Sequence, residues 1–268
     1  MRILIIGCGS IGTSLAMTAD SMPEVSKIYI FDSKPSAAEK LVKKTEKAIV
    51  VESVEEELYH SDLVIEAASQ EAAKTYLPVV VERGVNMMVM SVGALVDDDF
   101  REEVLVKASE AEACIYIPSG AVSGLDGLRS SIEAGVDSVE LISTKGPKSI
   151  EDVEYVLEKG IVVDDLKERT EVFYGTAREA VKLFPKNINV AATVSMFGIG
   201  FDKTKVRIVV DPEATCNSHK LVYSGDFGRA ECQTFNIPSP DNPRTSHLSA
   251  LSASHALRSL VKNVWIAI

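Results

Sequence analysis

Six residues near the start, Gly7-Cys8-Gly9-Ser10-Ile11-Gly12, constrain this chain more than any others. They follow a short apolar run at 3–6 and open a segment at 11–21 whose apolar residues recur at helical spacing, so the G-x-G-x-x-G lies between a strand and a helix. In that setting each glycine has a physical task. Gly7 permits a tight turn, Gly9 lets the backbone approach a pyrophosphate with no Cβ in between, and Gly12 lets the helix pack closely on the strand. The amides at the helix start, those of Ser10 and Ile11, then face the phosphates. Asp32 closes the next strand about 20 residues further on, where a carboxylate accepts hydrogen bonds from an adenosine ribose and repels a 2′-phosphate. The expected cofactor is NAD or NADP, with NAD preferred, although Lys34 lies close by. Ala67-Ala68-Ser69 and Ser91-Val92-Gly93-Ala94 end later strands in small residues. Ala67 and Ala68 are taken as contacts beside the nicotinamide half, simple packing turns being the alternative.

The same alternation continues to about residue 111. Strands are predicted at 3–6, 27–31, 48–51, 63–67 and 86–90, and helices at 11–21, 36–44, 71–82 and 98–108, with Asp97 as a cap for the last. Apolar, β-branched runs separated by amphipathic helices predict a parallel sheet covered on both faces. The fold class is therefore α/β: an N-terminal Rossmann doubly wound parallel sheet, then a second α+β domain with a mixed sheet. The texture changes after a strand at 114–117, where Pro118-Ser119-Gly120-Ala121 and Gly124-Leu125-Asp126-Gly127 punctuate the chain. Later strands are predicted at 138–143, 171–174, 206–210, 221–224 and 230–236, and helices at 177–183, 189–196 and 246–264. The expected domains are 1–112 for the dinucleotide, 113–242 for substrate, catalysis and oligomerisation, and a C-terminal helix within 243–268 that returns to the first.

A formal net charge of −11 excludes a nucleic-acid backbone as the main partner, because neutralising phosphates takes clustered Lys and Arg. No apolar run reaches the roughly 18 residues of a membrane span, and Met1-Arg2 leads into a strand without a signal-peptide pattern. Cys8, Cys114, Cys216 and Cys232 form neither a C-x-x-C pair nor a metal-site spacing. These features predict a cytoplasmic protein with a small-molecule substrate, no metal, no nucleic acid and no membrane. A homodimer or larger homo-oligomer is expected, on the ground that an apolar sheet face in the second domain needs cover.

Hydride transfer also needs a proton carrier and groups that hold the substrate still. His60, His247 and His255 read as structural. His219, in Cys216-Asn217-Ser218-His219 between two predicted strands, is read as lying on a site loop.

Several motifs in the second half point further. Ser119-Gly120-Ala121 with Gly124-Leu125-Asp126, Gly175-Thr176-Ala177-Arg178-Glu179-Ala180, Phe184-Pro185-Lys186-Asn187-Ile188-Asn189-Val190-Ala191-Ala192, Asp211-Pro212, Asn217-Ser218-His219 and Asn242-Pro243-Arg244-Thr245-Ser246 together resemble the L-aspartate dehydrogenase family. The motifs occur in the family's order through nearly the whole chain. The resemblance implies NAD(P)-dependent oxidative deamination of L-aspartate to iminosuccinate, which water converts to oxaloacetate and ammonia, and which can feed NAD biosynthesis. It implies His219 as the active-site histidine and Ala121 and Asn189 as dinucleotide contacts. Two departures stand out. Ser143-Thr144-Lys145-Gly146-Pro147 replaces a usual Thr-Arg-Lys-Pro-Pro, which removes one cation and keeps Lys145. Arg244 replaces a usual Lys, which keeps charge and changes donor geometry. Lys145, Asn187 and Arg244 are the substrate-binding candidates, and Thr245 and Ser246 read as helix caps. The alternatives are a related amino-acid or semialdehyde dehydrogenase, with other substrate donors, and a non-catalytic NAD-sensing protein, which need not retain His219.

Overall fold

The computed structural model of the chain describes residues 1–184, 189–239 and 242–261, at 242–245 the backbone alone. Its described residues separate into two compact units, one formed by Met1–Pro118 with 250–261, the other lying within Ser119–Ser249.

The first unit is built on six strands: β1 (Arg2–Ile6), β2 (Lys27–Phe31), β3 (Ala48–Val50), β4 (Leu63–Glu66), β5 (Asn86–Val89) and β6 (Ile115–Tyr116). Helices α1 (Ser10–Asp20), α2 (Pro35–Val42), α3 (Val54–Glu57), α4 (Gln70–Glu82) and α5 (Asp98–Glu110) lie between them. The strands pair in the order β3-β2-β1-β4-β5-β6, all in parallel. The order turns back on itself between β1 and β4. Open sheets of this kind bind ligands beyond the carboxyl ends of the strands at that switch point, here past Ile6, Phe31 and Glu66. Ile3, Ile5, Ile28, Ile30 and Ile65 are fully buried against Leu15, Ala16 and Ala19 of α1, which is why these strands read as apolar runs without alternation.

The second unit is a mixed sheet of β7 (Val136–Lys145), β8 (Thr170–Thr176), β9 (Lys205–Val210), β10 (Asn217–Gly225) and β11 (Gly228–Asn236), ordered β11-β10-β7-β9-β8. β7 and β9 run parallel and the other pairs antiparallel. Helices α6 (Leu125–Ser131), α7 (Glu154–Glu158), α8 (Ala177–Leu183) and α9 (Asn189–Phe197) accompany it. α8 opens with a capping box in which Thr176 and Glu179 exchange hydrogen bonds with each other's backbone.

Three expectations are corrected here. His219 lies inside β10, not on a loop, because β10 starts at Asn217 and its inward residues begin with polar ones, Asn217 and His219, before Leu221 and Tyr223. The sheet face expected to be apolar alternates polar residues outward and carries the ion pairs Arg207–Glu140, Arg207–Glu171 and Lys220–Glu231. Between β11 and the last helix, where the sequence predicts no strand, lie two short paired strands, β12 (Pro238–Ser239) and β13 (Asn242–Ser246). The last helix, α10, therefore starts at His247 and is described to Ser259, while residues 262–264 of the predicted helix lie outside the described residues. From α10, Ala253 and Leu257 join the apolar core of the first unit, and Ser254 Oγ accepts from Thr18 Oγ1 at 3.0 Å.

Candidate active site

Beyond β1, β2 and β4 lies a cleft of about 340 Å³ lined by Gly7, Phe31, Asp32, Ala68 and Tyr76 among others. The turn that forms its floor depends on two of its glycines. Gly7 takes φ +101°, and a Cβ on it would stand 2.7 Å from the Ala67 carbonyl oxygen; a Cβ on Gly12 would stand 2.0 Å from the Gly7 carbonyl oxygen. Above Gly9 nothing lies within 4 Å of such an atom. The turn is closed inward and open outward, which fits a pyrophosphate laid over the backbone. α1 begins at Ser10 with no side-chain cap hydrogen bond from its N-cap, Gly9, and the start of a helix favours an anion.

Asp32 does more than line the cleft. One carboxylate oxygen accepts the Cys8 N–H at 2.7 Å and the other the Lys34 N–H at 2.8 Å, which ties the middle of the glycine turn to the end of β2. Burial, reinforced by the Asp32 charge, pushes the Cys8 thiol up to about 12. The thiol stays protonated and puts no negative charge against a phosphate. Phe31 and Tyr76 meet edge to face with centroids 6.1 Å apart, forming an apolar wall suited to a planar base.

Sequence patterns did not single out Glu66. This last residue of β4 is fully buried. Its Oε1 accepts the N–H groups of Ala68 (2.8 Å) and Ser69 (2.9 Å) and the Ser91 hydroxyl (2.9 Å), and its Oε2 accepts the Ser91 N–H at 3.0 Å. One carboxylate thus holds both small-residue turns, those after β4 and β5. Burial raises its pKa, and the hydrogen bonds from Ala68, Ser91 and Ser69 act in the opposite direction. The only sequence signal was a lone acid ending an apolar strand. Because all four partners donate, Glu66→Gln turns an NH2 group toward a donor. The variant should lose about 1–3 kcal/mol of unfolding free energy in urea titrations and bind dinucleotide more weakly; unchanged values for both would show that the two turns hold without the carboxylate.

In the second unit, the buried face of the sheet carries Ser143 and Lys145 of β7 and His219 of β10. Ser143 and His219 are register partners, 0% and 4% exposed, and Ser143 Oγ lies 2.9 Å from His219 Nδ1. Lys145 is 4% exposed, and its ammonium has no hydrogen bond or ion pair among the described residues. Burial pushes Lys145 down to about 8. Burial, and after it the charge of Lys145, pushes His219 down to about 3. The result is a neutral imidazole near a cation that has no anion partner among the described residues. An unpaired buried charge is costly, which makes such a group a candidate for binding an anionic ligand.

The remaining predicted residues distribute as follows. Ala121 is 1% exposed; its carbonyl accepts the Thr234 hydroxyl at 2.8 Å and the Asn236 amide at 3.1 Å. Thr234 is the register partner of His219 on β11, so the Ala121 turn is tied to the strand pair that carries the histidine. Asn189 opens α9 and its carbonyl accepts the Thr193 hydroxyl at 3.1 Å. Asn187 and the side chain of Arg244 lie outside the described residues, as does that of Thr245, while Ser246 ends β13. His60 and His255 are exposed.

A Rossmann sheet with an outward-open glycine turn, in a chain that also carries a buried neutral histidine, is the equipment of the NAD(P)-dependent dehydrogenases. The chain is an oxidoreductase of that class. Residues 7–118 match the family described as "Homoserine dehydrogenase, NAD binding domain", and residues 126–260 match "Aspartate dehydrogenase, C-terminal". The L-aspartate dehydrogenases of Methanosarcina mazei and Methanosarcina acetivorans are 42% and 40% identical to it, each alignment covering 99% of this chain and 99% of the relative. The crystal structure of aspartate dehydrogenase from Thermotoga maritima superposes with a TM-score of 0.78 at 33% identity, covering 99% of both chains. The chain belongs to the L-aspartate dehydrogenase family, as its second-half motifs implied.

Proposed function

We propose that the chain catalyses the NAD(P)-dependent oxidative deamination of L-aspartate to iminosuccinate, which water converts to oxaloacetate and ammonia. The observation that carries this reading is the buried Lys145 ammonium, without a partner among the described residues, near the neutral imidazole of His219. When bound, the oxidised dinucleotide supplies the acceptor for the hydride that leaves the substrate α-carbon. As the C–N bond becomes C=N, the amine must lose a proton, and His219 receives it. Lys145 holds a substrate carboxylate, with Asn187 and Arg244 as further donors. Burial is the larger cause of the lowered His219 value and the Lys145 charge the smaller; a carboxylate arriving at Lys145 offsets the second, which strengthens the base.

The glycine turn from Gly7 to Gly12, with the amides of Ser10 and Ile11, holds the pyrophosphate; Asp32 takes the ribose, Ala67 and Ala68 flank the nicotinamide half, and Ala121 and Asn189 complete the dinucleotide contacts. NAD is preferred. Asp32→Ala should raise KM for both cofactors, since it also releases the Cys8 amide, and should shift the kcat/KM ratio toward NADP by about tenfold or more through loss of charge repulsion. A ratio left where it was would show that another group reads the ribose.

All four cysteines are free, which supports a reducing, cytoplasmic compartment. Phe235 and Ile237, 71% and 64% exposed at the edge strand β11 and just past it, support a homodimer or larger homo-oligomer. Supply of iminosuccinate to NAD biosynthesis belongs to the same reading. The deciding experiment is a spectrophotometric assay of the purified protein against a panel of amino acids with each cofactor. Turnover with aspartate supports the proposal. Turnover confined to another amino acid would make it a related dehydrogenase, and dinucleotide binding without any turnover would make it a sensor.

A further inference from the structure

We infer that Ser143 is a positioning residue for this reaction: its hydroxyl holds the His219 ring by Nδ1 and leaves Nε2 as the nitrogen that exchanges a proton with the substrate amine. The inference rests on the reading of His219 given above. Three observations carry it. Ser143 and His219 are directly opposed on antiparallel neighbours β7 and β10, so their side chains leave the sheet side by side on the same face. Both are buried, and the 2.9 Å contact between Ser143 Oγ and His219 Nδ1 is the one hydrogen bond that either side chain makes among the described residues. His219 Nε2 has no partner among them.

The chemistry follows from counting donors. A neutral imidazole has one N–H and one lone pair, and an imidazolium has two N–H groups. When Nε2 takes the amine proton, Nδ1 must donate, and in this buried place the hydroxyl of Ser143 is there to accept. Without it, the newly charged ring would hold an unsatisfied N–H in a site that already disfavours charge through burial and Lys145. The proton passes from the amine to Nε2 and, once product has left, from Nε2 to water; Nδ1–H donates to the Ser143 oxygen throughout, in the neutral ring and in the imidazolium.

The choice of a hydroxyl also explains how the lysine stays available. A carboxylate at position 143 would orient the ring equally well, but it would stand two residues from Lys145 on the same strand face. It would pair with the ammonium and neutralise the charge meant for the substrate. A neutral acceptor orients the histidine and leaves Lys145 unpaired.

The test compares Ser143→Ala, Ser143→Cys, Ser143→Thr and His219→Ala in the purified full-length protein, with circular dichroism to confirm folding. Ser143→Ala should lower kcat with L-aspartate by about 10- to 100-fold, with KM for aspartate and NAD within about threefold of wild type. Its acid limb in the pH–rate profile should move to lower pH, because the imidazolium has lost its acceptor. Ser143→Cys, a weak acceptor of similar size, should behave like alanine, and Ser143→Thr should recover kcat to within about threefold, since the hydroxyl is kept on a strand-favouring side chain. In 15N-labelled protein the Nδ1 resonance of His219 should shift in the alanine variant and return in the threonine variant. A wild-type kcat and pH profile for Ser143→Ala, alongside an inactive His219→Ala, would overturn the role of Ser143 alone. Full turnover by His219→Ala would overturn the reading of the histidine and Ser143 with it.

Discussion

His219→Ala should lower the turnover of L-aspartate by about 10²–10⁴-fold while dinucleotide affinity stays within about twofold. The separation is expected because the two functions use different local structures. Asp32 holds the glycine turn and Glu66 the turns after β4 and β5, through hydrogen bonds made within residues 8–91, whereas the histidine is fixed by Ser143 across β7 and β10. Loss of the imidazole leaves the Ser143 hydroxyl without its partner and a small cavity, a destabilisation of about 1–3 kcal/mol that thermal melts will register separately from activity. The pH dependence of stability should change as well. In the wild type the folded protein refuses a proton at His219 down to about pH 3, while the unfolded chain accepts it near the ordinary value of 6.5. The unfolded state therefore binds more protons between those limits, and stability falls as pH drops through them. The alanine variant should lack this part of the acid slope. Undiminished turnover, or a cofactor affinity that collapses together with kcat, would remove the histidine from the proposed chemistry.

What could be read in the sequence tracks how local the cause was. The first unit was legible because its signals sit within a few residues of their effects. Runs such as Leu63-Val64-Ile65 are buried on both sides of a parallel sheet, and the glycines at 7, 9 and 12 announce a turn whose geometry admits little else. Strand β10 was truncated to its apolar end because its first inward residues, Asn217 and His219, are polar and face a site, which breaks the alternation that marks a half-buried strand. The histidine itself was found through the motif around it, and its setting was not. Glu66 was invisible for a different reason. Two of its four donor groups belong to Ser91, 25 positions away, and only the pairing of β4 with β5 brings them together. A lysine near a strand end reads as a surface residue, so the burial of Lys145 emerges only from the register of β7 between β10 and β9.

Lys145→Met should show opposite signs in activity and stability, and that opposition is its value as a test. Methionine fills nearly the same apolar volume but carries no charge, so a substrate carboxylate loses its buried counter-ion. KM for L-aspartate should rise by about 10²–10³-fold, the scale found when one partner of a buried charge pair is removed, while NAD binding is unaffected. The fold, by contrast, should gain. Among the described residues the buried ammonium meets no anion, and burial lowers its pKa from 10.5 to about 8, meaning that the folded state disfavours the proton that the unfolded chain keeps. Between pH 8 and 10.5 the unfolded state binds more protons, so wild-type stability climbs with pH across that range. Below it the full penalty is present. At neutral pH the methionine variant should accordingly melt at a higher temperature than the wild type, and its stability should be flat where the wild type's rises. Affinity of the wild type for aspartate should decline as pH passes about 8, where the free ammonium loses its proton, and the variant should show no such decline. A variant that binds aspartate normally would show that the carboxylates are held elsewhere. One that melts lower at neutral pH would show that the ammonium already has an anion in the folded protein, and the claim that this site waits for a substrate carboxylate would fall.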